Sequence, residues 1–294
     1  MKAHPPFPPG VPRKVWVTGA GGLIGRAVVD SPGRPPAWTA VALGRPGLDL
    51  TDPRAVAERF RQERPDALVH CAAVSKSPAC QADPDRARRV NVEATAALAD
   101  LFDGRPVVFL STDLVFDGAR GGYGESDPVN PLSVYAETKV AAEARLAGRP
   151  GVLILRTSLN HGVSPTGDRG FNEETVAAWR AGRTLRFFTD EYRCPLPAAV
   201  TARVVWALLA QGASGLFHVG GAERLSRWEI GLLLAARHPG LHPRLEPASL
   251  REYVGAPRAP DTSLNSARVQ ARLDFPLPRY SDWLNQDAAG LAHA

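Results

Sequence analysis

Hydrophobic and polar positions alternate between two periods along the first half of the chain. Residues 14–19 (KVWVTG) make a short apolar run of the kind a buried strand needs, and residues 22–30 (GLIGRAVVD) change to helical spacing. The exchange then repeats. Residues 38–44 (WTAVALG) predict a strand, 53–63 (PRAVAERFRQE) a helix and 66–73 (DALVHCAA) another strand. A helix is expected over 86–101, a strand over 106–111 (PVVFLS), a helix over 134–146 (VYAETKVAAEARL) and a strand over 151–158 (GVLILRTS). Short apolar strands separated by amphipathic helices predict a parallel sheet wound by right-handed crossovers. The expected fold class is therefore α/β, a doubly wound parallel sheet of the Rossmann kind.

From about residue 159 the pattern loosens. Residues 171–182, 197–212 and 226–238 read as amphipathic helices, and 185–188 (LRFF) and 215–220 (GLFHVG) as short strands. Three regions follow: a dinucleotide-binding domain over 13–158, a smaller substrate lobe over 159–294, and a proline-rich segment over 1–12 expected to be disordered. Within the lobe, residues 197–220 are apolar enough to return to the sheet as a last crossover.

Composition narrows the setting. A chain of 294 residues can bury one large core or two modest ones. It has no run of about eighteen apolar residues such as a membrane helix requires. Prolines near the first residue stand where a signal peptide carries its apolar core, so a cytoplasmic location is expected. Three widely spaced cysteines, Cys71, Cys80 and Cys194, read as free thiols, and no ligand cluster suggests a metal. The net charge of +5 comes from basic residues interleaved with acidic ones. That arrangement suits an anionic small substrate, requires neither nucleic acid nor membrane, and allows a homodimer.

In a wound sheet the carboxyl ends of the strands hold the ligands. After the first strand comes TGAGGLIG, with Gly19, Gly22 and Gly25. Glycines there permit the tight turn, admit a pyrophosphate against the backbone, and let the new helix aim its amides at the phosphates. A structural turn is the plain alternative, but the strand before and the helix after favour a dinucleotide site. About twenty residues beyond the last glycine a carboxylate would hold the ribose of NAD and an arginine would accommodate the phosphate of NADP. Arg45 stands there, so NADP(H) is expected in preference to NAD(H).

Tyr135 and Lys139 lie four apart on a helix and so share a face. A neighbouring ammonium is expected to stabilise the phenolate and bring this tyrosine nearer to useful acidity, fitting it to give a proton to a carbonyl as general acid. Such a pair is also found as plain packing. Directly after the fourth strand, STDLVFDG places Thr112 where its hydroxyl can bond a substrate carbonyl, or where Ser111, Thr112 and Asp113 simply close a turn.

With these pieces in view, the chain resembles an extended short-chain dehydrogenase/reductase, most closely the dTDP-4-dehydrorhamnose reductase family. The matching segments are TGAGGLIG, GLDLTDPRAV (47–56), RPDALVHCAA (64–73), RRVNVEATAALA (88–99), STDLVFDG, ESDPVNPLSVYAETKVAAE (125–143), LRTS (155–158), GLFHVGGAERLSRWEIG (215–231) and RAPDTSLNS (258–266). The resemblance implies a catalytic trio of Thr112, Tyr135 and Lys139, with Lys139 and Tyr135 also at the nicotinamide ribose. It implies cofactor contacts from Gly19, Gly22, Leu23, Ile24, Gly25, Arg45, Asp49, Leu50, Cys71, Ala72 and Ala73, and an Asn91 that steadies the active-site strand. Thr112, Asp113 and Arg258 would meet the sugar nucleotide. Arg258, Asp261 and Asn265 read either as contacts to the substrate's phosphates or as residues that order a loop.

The same resemblance separates related activities. Leu114 stands where 4,6-dehydratases carry a glutamate, which argues against dehydration, and Asp113 with the VFDG ending argues against a 4-epimerase. Leu114, Ala136, Leu159 and DEYRCPLP (190–197) depart from the reductase pattern, and three of these lie where the sugar would sit. The chain also resembles the regulatory β-subunit of methionine adenosyltransferase, which implies a second reading as a non-catalytic NADP-binding partner of another enzyme. A redox-sensing NADP-binding protein is a third. His161 is expected in a loop near the cleft, and Trp206, Trp228 and Trp283 in the core or at its rim.

Overall fold

The computed structural model describes residues 7 and 10–290. Its chain order is β1 (Arg13–Thr18), α1 (Leu23–Asp30), β2 (Trp38–Leu43), α2 (Pro53–Glu63), β3 (Ala67–His70), α3 (Ser77–Ala82), α4 (Pro84–Arg88), α5 (Ala94–Leu101), β4 (Val107–Thr112), α6 (Val134–Leu146) and β5 (Val152–Thr157). The second half adds β6 (Asn160–His161), α7 (Phe171–Arg180), β7 (Thr184–Phe188), β8 (Tyr192–Arg193), β9 (Leu196–Pro197), α8 (Ala198–Ala210) and β10 (Gly215–Val219). It closes with β11 (Leu225–Ser226), α9 (Arg227–Arg237), β12 (Arg244–Ala248), α10 (Ala267–Gln270) and α11 (Tyr280–Gly290).

Six strands form one parallel sheet in the order β10-β5-β4-β3-β1-β2. Every residue of β3, β4 and β5 is buried, because helices cover both faces. Alternate residues feed two cores. Val15, Val17, Val108, Leu110, Leu153 and Leu155 face α1 and α8, whereas Trp16, Phe109 and Ile154 face α2, α5 and α6. Trp206 of α8 donates its indole N–H to the Val28 carbonyl of α1 at 2.9 Å, so the fully buried ring has its polar atom satisfied. Segment 197–220 thus supplies α8 and β10 to the sheet.

Helix starts follow local chemistry. Asp52 caps α2 by accepting from the backbone N–H groups of Arg54 and Ala55, each at 3.0 Å, with Pro53 in the first turn. Ser133 caps α6 through the Ala136 N–H at 3.3 Å and so fixes Tyr135 in the first turn. Ser226 and Glu229 form a reciprocal capping box at α9, with bonds of 3.1 and 2.7 Å. The helix expected over 86–101 is interrupted: residues 89–93 form a π-helical turn between α4 and α5, which swings Asn91 inward.

The smaller lobe has its own core of Trp179, Phe187, Ile230, Leu234, Tyr280 and Leu284, with Trp228 and Trp283 packed at its margin. In it β7 pairs in parallel with β12, a strand the alternation did not reveal. The segment expected to be disordered, 1–12, falls largely outside the described residues. Its Phe7 packs edge-on against Trp38 at 5.0 Å, under the Arg13 guanidinium.

Candidate active site

Gly19 has φ +69°, and a Cβ there would lie 2.7 Å from the Ala72 nitrogen; one on Gly25 would lie 2.2 Å from the Gly19 oxygen. Only glycine permits both the left-handed turn and the close packing of α1 on it. Gly22 caps α1 without a side chain, leaving the first amides free to face an anion. Gly44 lies against this turn, where a Cβ would stand 3.7 Å from the Gly21 nitrogen, with Arg45 exposed beside it. Asp49 is committed to a turn, its Oδ1 accepting from the Thr51 N–H and hydroxyl at 2.9 and 2.8 Å, and Arg45 helps to hold its carboxyl below the ordinary range after those bonds. Leu50 lines an apolar cavity of about 340 Å³ with residues of α2 and α5. Leu23 reaches toward the second half of the chain, where a Cβ on Gly162 or Gly170 would lie 3.1 or 3.5 Å from its side chain.

The end of β3 is held by a directed hydrogen-bond chain. The Thr95 hydroxyl donates to the Asn91 carbonyl at 2.8 Å, so it can only accept from His70 Nε2, 2.9 Å away. His70 Nδ1 then accepts from Thr18 Oγ1 at 2.7 Å, and Thr18 accepts the Ala72 N–H at 3.3 Å. Burial, reinforced by Lys139, holds His70 down to about 3, so it stays neutral. Asn91 brackets Val74, accepting its N–H at 2.8 Å and donating to its carbonyl at 3.1 Å, and donates to Thr138 of α6 at 2.9 Å. Cys71, Ala72 and Ala73 follow β3 as a half-buried segment next to Gly19, and burial pushes the Cys71 thiol up to about 12.

Thr112 ends β4, and Tyr135 stands half-buried at the head of α6, with the Thr112 hydroxyl near its phenol. Lys139 lies one turn further on, 2 % exposed, with Nζ donating to the Leu110 carbonyl at 2.6 Å and resting 3.9 Å over the Phe109 ring. The trio therefore converges on the end of one strand. The expected acidification of Tyr135 by Lys139 is corrected: burial, with Asp113 and Cys80, raises the phenol's pKa, and only the nearby Thr112 hydroxyl opposes the shift. Lys139 itself is drawn down to about 7 by burial, with Glu143 and Cys71 pulling the other way.

Asp113 is buried rather than presented to a cleft. Its Oδ2 accepts from Ser158 and Thr262 at 2.8 and 3.0 Å, its Oδ1 bonds Thr112 at 3.2 Å, and Arg193 lies 3.9 Å away. Arg193 leads on to Glu191 at 2.9 Å, and Glu191 takes Arg258 at 2.7 and 2.8 Å. Arg258 thus belongs to a cluster linked to the trio through Asp113. Arg227 joins it with no side-chain hydrogen-bonding partner among the described residues, its guanidinium 4.9 Å over Phe171 and pulled down to about 10, first by burial and then, against Glu191, by Arg193 and Arg258. Asp261 and Asn265 take the loop-ordering role, Asp261 holding Arg224 at 2.7 Å and Asn265 accepting the Ala267 N–H at 3.0 Å.

Beneath α6 lies a group that the sequence pattern does not disclose. Glu143, one turn after Lys139, accepts from Arg156 at 3.0, 3.2 and 2.6 Å and from Ser111 at 2.5 Å. Arg156 meets Nε2 of a neutral His218 at 3.5 Å, whose Nδ1 donates to the Tyr123 carbonyl at 2.9 Å. The charged residues interrupting the apolar runs of α6 and β5 were the available signal. His161 forms the short strand β6 and bonds Tyr280 at 2.5 Å.

The family described as RmlD substrate binding domain matches residues 13–291. The chain belongs to this family. It is 32% identical over 280 residues to a probable low-salt glycan biosynthesis reductase, Agl14, of Haloferax volcanii, covering 90% of this chain and 86% of that protein. Identity is 31% to methionine adenosyltransferase 2 subunit beta of Danio rerio (76% and 73% covered) and 29% to dTDP-4-dehydrorhamnose reductase of Sinorhizobium fredii (92% and 94%). A crystal structure of dTDP-4-dehydrorhamnose reductase from Bacillus anthracis in complex with NADP superposes with a TM-score of 0.86 at 22% identity, covering 94% and 98%. The fold is the α/β Rossmann-like architecture of these proteins.

Proposed function

We propose that this protein reduces the C4 keto group of a deoxy-sugar nucleotide, using NADP(H) in preference to NAD(H). The observation that carries the reading is the convergence of Thr112, Tyr135 and Lys139 on the strand end beside the glycine turn. The site fits a dinucleotide: a Cβ at Gly19 or Gly25 would fill the turn, and the uncapped start of α1 offers amides to phosphate. Arg45, beside that turn, suits the additional phosphate of NADP. When bound, the reduced nicotinamide supplies a hydride.

The chain's own residues supply the rest. Tyr135, kept protonated through neutral pH by its raised pKa, gives its proton to the carbonyl oxygen. Thr112, near the phenol, can polarise the carbonyl, and Lys139 has ammonium hydrogens left over from its bond to Leu110 to hold ribose hydroxyls. Arg193 and Arg258 pair with Glu191, Arg227 stands near it, and Arg193 also faces Asp113; that basic cluster, with Arg258 exposed, suits the diphosphate of a sugar nucleotide. The similarity to the Sinorhizobium fredii reductase supports the substrate class.

The test is NADPH oxidation against a panel of 4-keto sugar nucleotides, with Tyr135→Phe as control. The variant should lose turnover while still binding NADPH; full turnover by Tyr135→Phe refutes the assignment of the acid. The similarity to methionine adenosyltransferase subunit beta favours a second reading, a non-catalytic NADP-binding subunit. A stable partner enzyme in a pull-down, with no oxidation on any substrate, would support that reading instead.

A further inference from the structure

Two hydrogen-bond chains meet at Asn91, and together they run from the glycine turn to the first turn of α6. At one end the Ala72 N–H donates to the Thr18 hydroxyl at 3.3 Å, and that hydroxyl donates to His70 Nδ1 at 2.7 Å. His70 Nε2 donates to Thr95 at 2.9 Å, and Thr95 donates to the Asn91 carbonyl at 2.8 Å. The Asn91 amide donates to the Thr138 hydroxyl at 2.9 Å, which donates to the Tyr135 carbonyl at 2.7 Å. Every bond points the same way.

The direction is imposed from the ends. A backbone N–H can only donate and a carbonyl can only accept, so Thr18, Thr95 and Thr138 each accept once and donate once. His70 is the member with a choice, since a neutral imidazole can carry its proton on either nitrogen. With the proton on Nε2 all six bonds form. With it on Nδ1, the Thr18 hydrogen finds no acceptor among these groups, and Thr95 must leave either His70 or Asn91 unbonded. An imidazolium would break the chain at Thr18, and burial with Lys139 holds the ring neutral. Thr18, His70, Thr95 and Asn91 are all 2 % exposed or less, so water does not replace a lost bond.

Both ends bear on the candidate site. A Cβ on Gly19 would lie 2.7 Å from the Ala72 nitrogen, so the 71–73 segment and the glycine turn cannot shift independently. At the other end the Thr138 bond holds the carbonyl of Tyr135 itself. The imidazole also stacks on Phe109 at 5.8 Å and 26°, and Phe109 carries the Lys139 ammonium 3.9 Å over its ring. His70 therefore reaches α6 by two routes.

We propose that His70 is a positioning residue, which ties the 71–73 segment and the glycine turn to the first turn of α6 so that the cofactor seat and Tyr135 keep one fixed relation. The proposal rests on the reductase reading above. A hydride and a proton must reach the two atoms of one carbonyl, and a misplacement of about 1 Å can cost about a hundredfold in rate. His70 touches neither reactant and acts by holding the pieces that do.

The tautomer is read first. Nitrogen NMR of the ligand-free protein at neutral pH should show a neutral His70 with its proton on Nε2; a proton on Nδ1, or an imidazolium, overturns the proposal. Thr18→Val and Thr138→Val then remove one hydroxyl near each end. The double variant should lose about three- to tenfold less kcat than the product of the single losses, and Thr95→Val, which breaks the chain between them, should abolish that coupling. Independent losses in the wild-type background, or a coupling that survives Thr95→Val, overturn it. His70→Leu should lower kcat about tenfold while the NADPH dissociation constant stays within about threefold, and His70→Gln, whose amide can reach Thr95, should recover part of kcat. Parallel losses of kcat, NADPH affinity and thermal stability, with no recovery in His70→Gln, would mark a merely structural residue. Should His70→Leu fail to fold, the tautomer and the Thr95→Val cycle decide. Failure of wild type on every 4-keto sugar nucleotide would strike the reductase reading instead, and the tautomer, read without substrate, tells the two failures apart.

Discussion

The buried pair beneath α6 makes the sharpest energetic prediction. The Arg156 side chain is 6% exposed and that of Glu143 10%, and three N–H contacts of 3.0, 3.2 and 2.6 Å join them. Replacing Glu143 with alanine leaves the guanidinium with a 3.5 Å contact to His218 and the face of Phe116 at 5.2 Å. Breaking one partner of such a pair costs about 3–5 kcal/mol, because the surviving charge is buried without compensation. At about 2–4 °C per kcal/mol for a domain of this size, Tm should fall by roughly 6–20 °C. The companion is the double variant Glu143→Leu, Arg156→Leu, which removes both charges and should recover much of the loss. Calorimetry and urea unfolding measure both. A Glu143→Ala protein melting within about 2 °C of wild type, a shift worth no more than about 1 kcal/mol, would refute the claim that Arg156 depends on this carboxylate.

Gly25→Ala should abolish NADPH binding and destabilise the fold, since its Cβ meets the Gly19 oxygen at 2.2 Å, whereas Gly21→Ala, with nothing within 4 Å, should be tolerated; ligand titration of the two variants checks the contrast. Lys139 falls from 10.5 to about 7 in the folded protein, so the unfolded chain holds the extra proton between those values and stability should rise as pH increases from about 7 to 10.5. Lys139→Met should flatten that rise in denaturant titrations at several pH values. Arg227→Met removes an under-neutralised enclosed cation, so stability should hold or improve. Affinity for a nucleoside diphosphate should drop about ten- to hundredfold, the worth of a charged hydrogen bond of about 1.5–3 kcal/mol, as calorimetric titration would show.

Much of the sheet was legible because its signals are local. Runs such as VVFL and VLIL are apolar throughout since both faces are covered, and Asp52, Ser133 and Ser226 mark helix starts through bonds that span three residues or fewer. The π turn at 89–93 has no such mark. It is stabilised from outside by Val74 and Thr138, which are distant in sequence from Asn91. Likewise β12 reads as RLEPA, with a proline and three exposed positions, and is a strand because β7 lies beside it. The candidate trio could be named from spacing, but its electrostatics could not. Spacing puts Tyr135 and Lys139 on one face and says nothing of the Leu110 carbonyl that captures the ammonium.

That capture alters how the site must work. Burial favours the neutral form of both groups, raising the phenol of Tyr135 and lowering Lys139 to about 7. A general acid needs its proton before reaction, and a phenol with a raised pKa has it at every neutral pH. The difficulty moves to the end of the cycle, when an unusually basic phenolate stands in a dry site and must be reprotonated before the next substrate binds. Lys139, near half-charge and with hydrogens left free by its single bond to the Leu110 carbonyl, stands one helical turn from that phenolate. Burial thus sets both the readiness of the acid and the difficulty of its return.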